Sequence, residues 1–166
     1  AVLRQLGASV SVSDGPDGEP AQWEVAPAPI SGGLIEVEPD LSNAGPFLAA
    51  ALVAGGSVRV PGWPMHTTQG GDAMRELLTR MGATVTLDDT GLTVTGGETI
   101  LPIDADLHAV GELTPTIAAL CTFADGPSRI RGVGHLRGHE TDRLAALVTE
   151  IRRLGGGAEQ TEDGLI

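Results

Sequence analysis

Two short segments carry residue types suited to acid–base and anion-binding chemistry. The first is Gly111-Glu112-Leu113-Thr114-Pro115. Pro115 suits the start of a helix and Thr114 a cap, which leaves Glu112 just outside a helix N-terminus. The second is Gly138-His139-Glu140-Thr141-Asp142-Arg143-Leu144. Here Thr141 is predicted to cap, with Asp142 and Arg143 in the first turn. Backbone N–H groups and a guanidinium aimed the same way make an anion site. If the two helix starts face the same end of a domain, His139, Glu140, Arg143 and Glu112 surround one anionic ligand. The same residues also read as charged caps, because a glutamate near a helix N-terminus is favourable for dipole reasons alone. Spacing by itself leaves both readings open.

The remaining reactive residues read as structural. His135 and His139 are four apart, but Gly138 lies between them, so they do not share a helix face. With no third clustered ligand, no metal site is predicted. His66 and His108 read as loop or surface residues. Cys121 lies among alanines in a helix and reads as a small core residue. Gly55-Gly56, Gly70-Gly71 and Gly155-Gly156-Gly157 lack dinucleotide or Walker spacing, so no nucleotide cofactor is predicted.

The elements that position these segments repeat along the chain. Leu3-Arg4-Gln5-Leu6-Gly7-Ala8 resembles Leu78-Thr79-Arg80-Met81-Gly82-Ala83, and both resemble Ile151-Arg152-Arg153-Leu154-Gly155-Gly156. Each glycine is predicted to end an amphipathic helix at positive φ. Gly7 and Gly82 are 75 residues apart, Gly82 and Gly155 73. Alternating strands follow, clearest in Val85-Thr86-Leu87 and, after a turn, Leu92-Thr93-Val94-Thr95. A second pair also matches. Phe47 to Gly56 followed by Ser57-Val58-Arg59-Val60 corresponds to Pro115 to Ala124 followed by Ser128-Arg129-Ile130-Arg131. One unit therefore reads strand, apolar helix, strand, amphipathic helix, strand, strand. The first helix is apolar on nearly every side and is predicted to be buried. Its alanines predict close helix contacts.

The first copy begins inside its second helix and the last stops as its final strand begins, so the chain reads as an excerpt of a longer protein with several such units. Ala26 to Gly33 reads as a linker, and Asp14 to Pro20 as a hairpin loop whose acids are solvated.

Composition limits the partners. Of 166 residues, 10 are basic and 22 acidic, for a net charge of −12. The basic residues are all arginine. A basic face for nucleic acid or anionic membrane is absent, and with two Phe and no Tyr there is little to stack bases on. The longest apolar run, Phe47 to Ala54, is far short of the roughly 20 residues that cross a bilayer. One cysteine excludes a disulfide framework. The N-terminus lacks a basic stretch followed by a long apolar one, as a signal peptide would need. These features read as a soluble, cytoplasmic protein.

At His139-Glu140-Thr141-Asp142-Arg143-Leu144 the chain resembles the enolpyruvyl transferase family, in particular its EPSP synthase branch, which typically has Lys-Glu-Thr-Asp-Arg there. Glu36-Val37-Glu38-Pro39-Asp40-Leu41-Ser42-Asn43-Ala44, Gln69-Gly70-Gly71-Asp72 and Gly111-Glu112-Leu113-Thr114-Pro115 are similar too, in the same order. The resemblance implies an α+β fold, an inverse α/β barrel of repeated βαβαββ units around buried helices. It implies that residues 1–37 end an N-terminal domain and cross over, and that 38–103 and 104–166 are the first and the truncated second unit of a C-terminal domain. It implies transfer of the enolpyruvyl group of phosphoenolpyruvate to the 5-hydroxyl of 3-phosphoshikimate, by a monomer without metal or cofactor. On that resemblance Glu112 falls near the target hydroxyl, where the family usually has aspartate, and Glu140 near the phosphoenolpyruvate methylene. Arg143 holds the phosphoenolpyruvate carboxylate, and His139 replaces the common lysine beside the substrates. The family's further site cations lie outside these residues, so the piece alone is expected to be inactive. A UDP-N-acetylglucosamine enolpyruvyl transferase, a catalytically silent scaffold of the same units and an RNA-end-processing enzyme are the rival readings. The His-Glu-Thr-Asp-Arg element points away from the first. The acidic balance argues against the last.

Overall fold

A computed structural model describes residues 2–16, 20–34, 36–139 and 141–166. The chain divides into two compact units, Ala1–Val37 and Glu38–Ile166. In the smaller, helix α1 (Val2–Gln5) ends at Gly7 and leads into an antiparallel hairpin of β1 (Val10–Asp14) and β2 (Pro20–Val25), in which Val12 pairs with Trp23. The Arg4 guanidinium donates to the Val10 carbonyl at 2.8 Å, tying helix to hairpin. Asp17, Gly18 and Glu19 of the connecting loop lie outside the described residues. Residues 26–34 form neither helix nor strand, in keeping with their proline and glycine content.

The larger unit opens on α2 (Leu41–Ala54). Asp40 caps it, accepting from the Asn43 N–H at 2.9 Å. Gly56 N–H closes its far end on the Ala51 carbonyl at 3.0 Å. Then come β3 (Ser57–Pro61), α3 (Met74–Arg80), β4 (Thr84–Asp88) and β5 (Gly91–Thr95), with β5 central in an antiparallel sheet ordered β3-β5-β4. Val94 faces Val58 on one side and Val85 on the other. This alternation sends Leu92 and Val94 into the core.

The last copy reproduces that order. Strand β6 (Asp104–Asp106) lies parallel to β7 (Arg129–Arg131), and helices α4 (Thr114–Cys121) and α5 (Arg143–Arg153) follow the positions of α2 and α3. Leu165 bridges antiparallel to both Ile130 and Gln160, as β5 does to β3 and β4. The three helix-ending glycines are equivalent in backbone as well as in sequence: φ is 88° at Gly7, 97° at Gly82 and 91° at Gly155. A β-carbon is strained there, so the recurrence of glycine has a steric cause.

Two expectations need correction. The middle copy has no leading strand comparable to β6 among the described residues of 36–40; Glu38 instead accepts hydrogen bonds from Thr67 Oγ1 at 2.6 Å and Gln69 Nε2 at 2.7 Å. And α2 is not buried all round. Leu48, Ala49, Ala51 and Leu52 are in the core, but Phe47 is 68% exposed, because its described neighbours cover only one face. At Gly45 of α2 a β-carbon would lie 3.6 Å from the Met74 methyl and 3.8 Å from that of Thr116.

Candidate active site

The segment Gln69-Gly70-Gly71-Asp72 is pinned to the start of α2. Gln69 Nε2 donates to the Pro39 carbonyl at 3.0 Å while its Oε1 accepts from the Leu41 N–H at 3.1 Å. The 3-10 turn Gly70–Ala73 then passes so close to α2 that a β-carbon on Gly71 would stand 2.6 Å from the Leu41 carbonyl carbon and the Ser42 nitrogen. Asp72 completes the anchor. It accepts from the buried Trp63 indole at 2.8 Å and from Arg75 Nε at 2.7 Å. Partial burial pushes the Asp72 carboxyl up, but the Arg75 and Trp63 hydrogen bonds and the Arg75 charge outweigh it and hold it below the usual range.

Glu112 stands on a 3-10 turn, His108–Leu113, that leads into α4. Its side chain is exposed and lies across the Gly70 turn: a β-carbon on Gly70 would be 2.5 Å from Glu112 Oε1. Thr114 does not cap α4. Its φ of −51° and ψ of −46° are already helical, and so are those of Leu113 before it, −81° and −13°. Its hydroxyl is buried, with no hydrogen-bond partner among the described residues.

The third piece is the 3-10 turn Gly134–Gly138, which ends on His139 in extended conformation. His135 Nε2 lies 2.8 Å from the place of a Gly111 β-carbon, so the ring rests on the backbone beside Glu112. The same ring is 5.5 Å from His108, edge-on, and 6.1 Å from His139. His108 Nδ1 in turn is 3.1 Å from the Gly132 carbonyl. The expectation that Thr141 caps α5 is also corrected. Asp142 is the cap, accepting from the Ala145 N–H at 2.9 Å, and Thr141 is exposed. That N–H bond, helped by Arg137 and opposed by some desolvation, lowers the Asp142 carboxyl pKa. Arg143 is the first residue of α5 and is half-buried. Glu140 lies outside the described residues.

His135 thus lies beside Gly111, the neighbour of Glu112, and 6.1 Å from the His139 ring, with Arg143 four positions beyond His139 in sequence. Sequence reasoning did not place His135 beside Glu112, since its contact at Gly111 is tertiary. Among the described residues no group of three or more His, Cys, Asp or Glu is arranged to hold a metal, and no helix is long and apolar enough to cross a membrane. Burial raises the half-buried Cys121 thiol, with a Ser128 hydrogen bond in opposition. It lines a cleft of about 580 Å³ together with Ile130, Ile151 and Leu165, and this cleft does not reach Glu112, His139 or Arg143.

A family model described as EPSP synthase (3-phosphoshikimate 1-carboxyvinyltransferase) matches residues 1–166. A curated protein of Kocuria rhizophila named 3-phosphoshikimate 1-carboxyvinyltransferase is 59% identical over 143 residues, which is 86% of this chain and 32% of that protein. The chain thus spans about a third of the length of that relative. An EPSP synthase structure from Acinetobacter baumannii superposes with a TM-score of 0.76 at 22% identity, over 98% of this chain and 38% of that one. The enolpyruvyl transferase NikO from Streptomyces tendae does so with a TM-score of 0.66 at 23% identity, over 99% and 38%. The architecture is that of the enolpyruvyl transferases.

Proposed function

The chain belongs to the EPSP synthase family, and on that premise we propose that it is part of an enzyme that moves the enolpyruvyl group of phosphoenolpyruvate onto the 5-hydroxyl of 3-phosphoshikimate, releasing phosphate. The observation that carries this reading is the unbroken family match over residues 1–166. The position of His135, beside Gly111 and 6.1 Å from the His139 ring, supports the assignment of roles.

In the proposed reaction the Glu112 carboxylate accepts the 5-hydroxyl proton as the oxygen attacks C2 of phosphoenolpyruvate. The electron pair of the C2–C3 double bond takes a proton at C3, supplied by Glu140 in this reading, to give a tetrahedral phosphate ester. Loss of a proton from the new methyl group then re-forms the double bond and expels phosphate, with the roles of acid and base reversed. Arg143 offers a planar fork to the phosphoenolpyruvate carboxylate. His139 lies beside the substrates and interacts with their negative charge when protonated.

In the same reading residues 1–37 close an N-terminal domain, and 38–103 and 104–166 are successive units of a C-terminal one. The whole enzyme is a cytoplasmic monomer that needs neither metal nor cofactor and binds neither nucleic acid nor membrane. The test is acceptor choice. The whole protein, given phosphoenolpyruvate, is expected to release phosphate with 3-phosphoshikimate and not with UDP-N-acetylglucosamine. Release with the nucleotide sugar alone would overturn the reading.

A further inference from the structure

We propose that Gly70 is a positioning residue for the Glu112 carboxylate: its missing side chain is the space in which Glu112 Oε1 lies. The inference rests on the reading of Glu112 as the acid–base group and adds a residue that touches no substrate.

The two glycines of the Gln69-Gly70-Gly71-Asp72 turn do different work. A β-carbon on Gly71 would stand 2.6 Å from backbone atoms of Leu41 and Ser42, which are fixed in the first turn of α2. Gly71 is there for packing. A β-carbon on Gly70 would meet the end of a side chain instead, Glu112 Oε1 at 2.5 Å, with Val110 Cγ1 next at 3.2 Å. Neither glycine has positive φ, so a change to alanine brings no backbone strain. Glu112 Oε1 is the far end of an exposed side chain, so it is the carboxylate that yields. Restoring van der Waals separation moves Oε1 by about 1 Å. A shift of that size at a reacting group costs up to about a hundredfold in rate.

The turn that carries Gly70 is itself held rigidly. Gln69 bridges to Pro39 and Leu41, and Asp72 joins Trp63 to Arg75. The His135 ring rests over Gly111, the residue before Glu112. Glu112, on its own 3-10 turn, thus reaches across to the Gly70 turn of the preceding copy.

The experiment uses the whole protein and phosphate release from phosphoenolpyruvate with 3-phosphoshikimate. Gly70→Ala is expected to lower kcat by about ten- to a hundredfold, leave both KM values within about threefold, and keep Tm close to that of the parent. Gly71→Ala, run beside it, is expected to lower Tm. In a Glu112→Ala background, where the added methyl group has no carboxylate to displace, Gly70→Ala is expected to cost nothing further. Full activity of Gly70→Ala beside an inactive Glu112→Gln would overturn the positioning role and leave the reading of Glu112 standing. Full activity of Glu112→Gln would overturn both. A drop in Tm for Gly70→Ala as large as that for Gly71→Ala, or an equal rate loss in the Glu112→Ala background, would make Gly70 a packing residue and end the proposal.

Discussion

Arg137 Nη1 donates to Asp142 Oδ2 at 2.9 Å, and this one bond ties the turn that leads to His139 to the first turn of α5, where Arg143 stands. Arg137 also reaches the Gln160 side chain at 2.8 Å and the Thr161 carbonyl at 2.7 Å, so the tie extends to the C-terminal bridge residues. Asp142 is therefore the structural member of the His139–Arg143 segment.

Replacing Asp142 tests that division of labour. Asp142→Ala removes both the cap on Ala145 and the tie to Arg137. It is expected to lower Tm by several degrees and, by loosening the turn that carries Arg143, to raise the KM for phosphoenolpyruvate about tenfold in the whole protein. Asp142→Asn keeps a capping oxygen and is expected to fall between the parent and Asp142→Ala in both measurements. Steady-state kinetics and thermal melts check it.

The anchor under Gly70 gives a stability prediction. Trp63 is 2% exposed and its indole N–H is paired with Asp72. Asp72→Ala strands that donor and takes a partner from Arg75, at an expected cost of about 2–3 kcal/mol, whereas Trp63→Phe removes donor and need together and costs about 1 kcal/mol. Urea denaturation of the two variants checks the order.

Acid lability follows from the depressed carboxyls. Asp88 is lowered to about 2 by the Thr90 hydroxyl and N–H, with Arg59 adding to them. Asp163 is lowered by the Gly132 N–H and Thr161 against a smaller desolvation effect. Groups whose pKa is lower in the folded than in the unfolded chain stabilise the fold above the unfolded value of about 4, and that contribution is lost as pH falls through the folded pKa. The denaturation midpoint is expected to drop between about pH 4 and pH 2. Asp88→Asn should flatten part of that slope; an unchanged slope would contradict the assignment of Asp88.

The 166-residue chain by itself, net −12, is expected to release no phosphate from the two substrates, since its ten arginines include several already committed to ion pairs with Asp72, Asp88, Asp104 and Asp142. Steady turnover by the purified chain, free of host enzyme, would contradict this.

What the sequence revealed was set by local rules. Gly7, Gly82 and Gly155 announced their helix ends because positive φ selects glycine wherever it occurs. The hairpin at Asp88 to Thr95 was legible for the same kind of reason: the Asp88 side chain accepts from the Thr90 N–H at 2.8 Å, closing the turn locally. Caps were less legible. Thr141 and Asp142 both suit the role, and the choice fell to Asp142 because Arg137, five residues earlier, holds its second oxygen. Thr114 failed as a cap because it and Leu113 before it are already helical. The nearness of His135 to Gly111, 24 positions apart, comes from tertiary packing within one copy, and that of Glu112 to Gly70, 42 apart, from the packing of one copy against the next.

The central claim is that Glu112 handles the proton of the acceptor hydroxyl. It is tested most directly by single-turnover phosphate release from the whole protein carrying Glu112→Gln, mixed with phosphoenolpyruvate and 3-phosphoshikimate. Glutamine keeps the shape and removes the base, so the rate is expected to fall at least about a hundredfold with substrate binding retained. A rate within about twofold of the parent would contradict it.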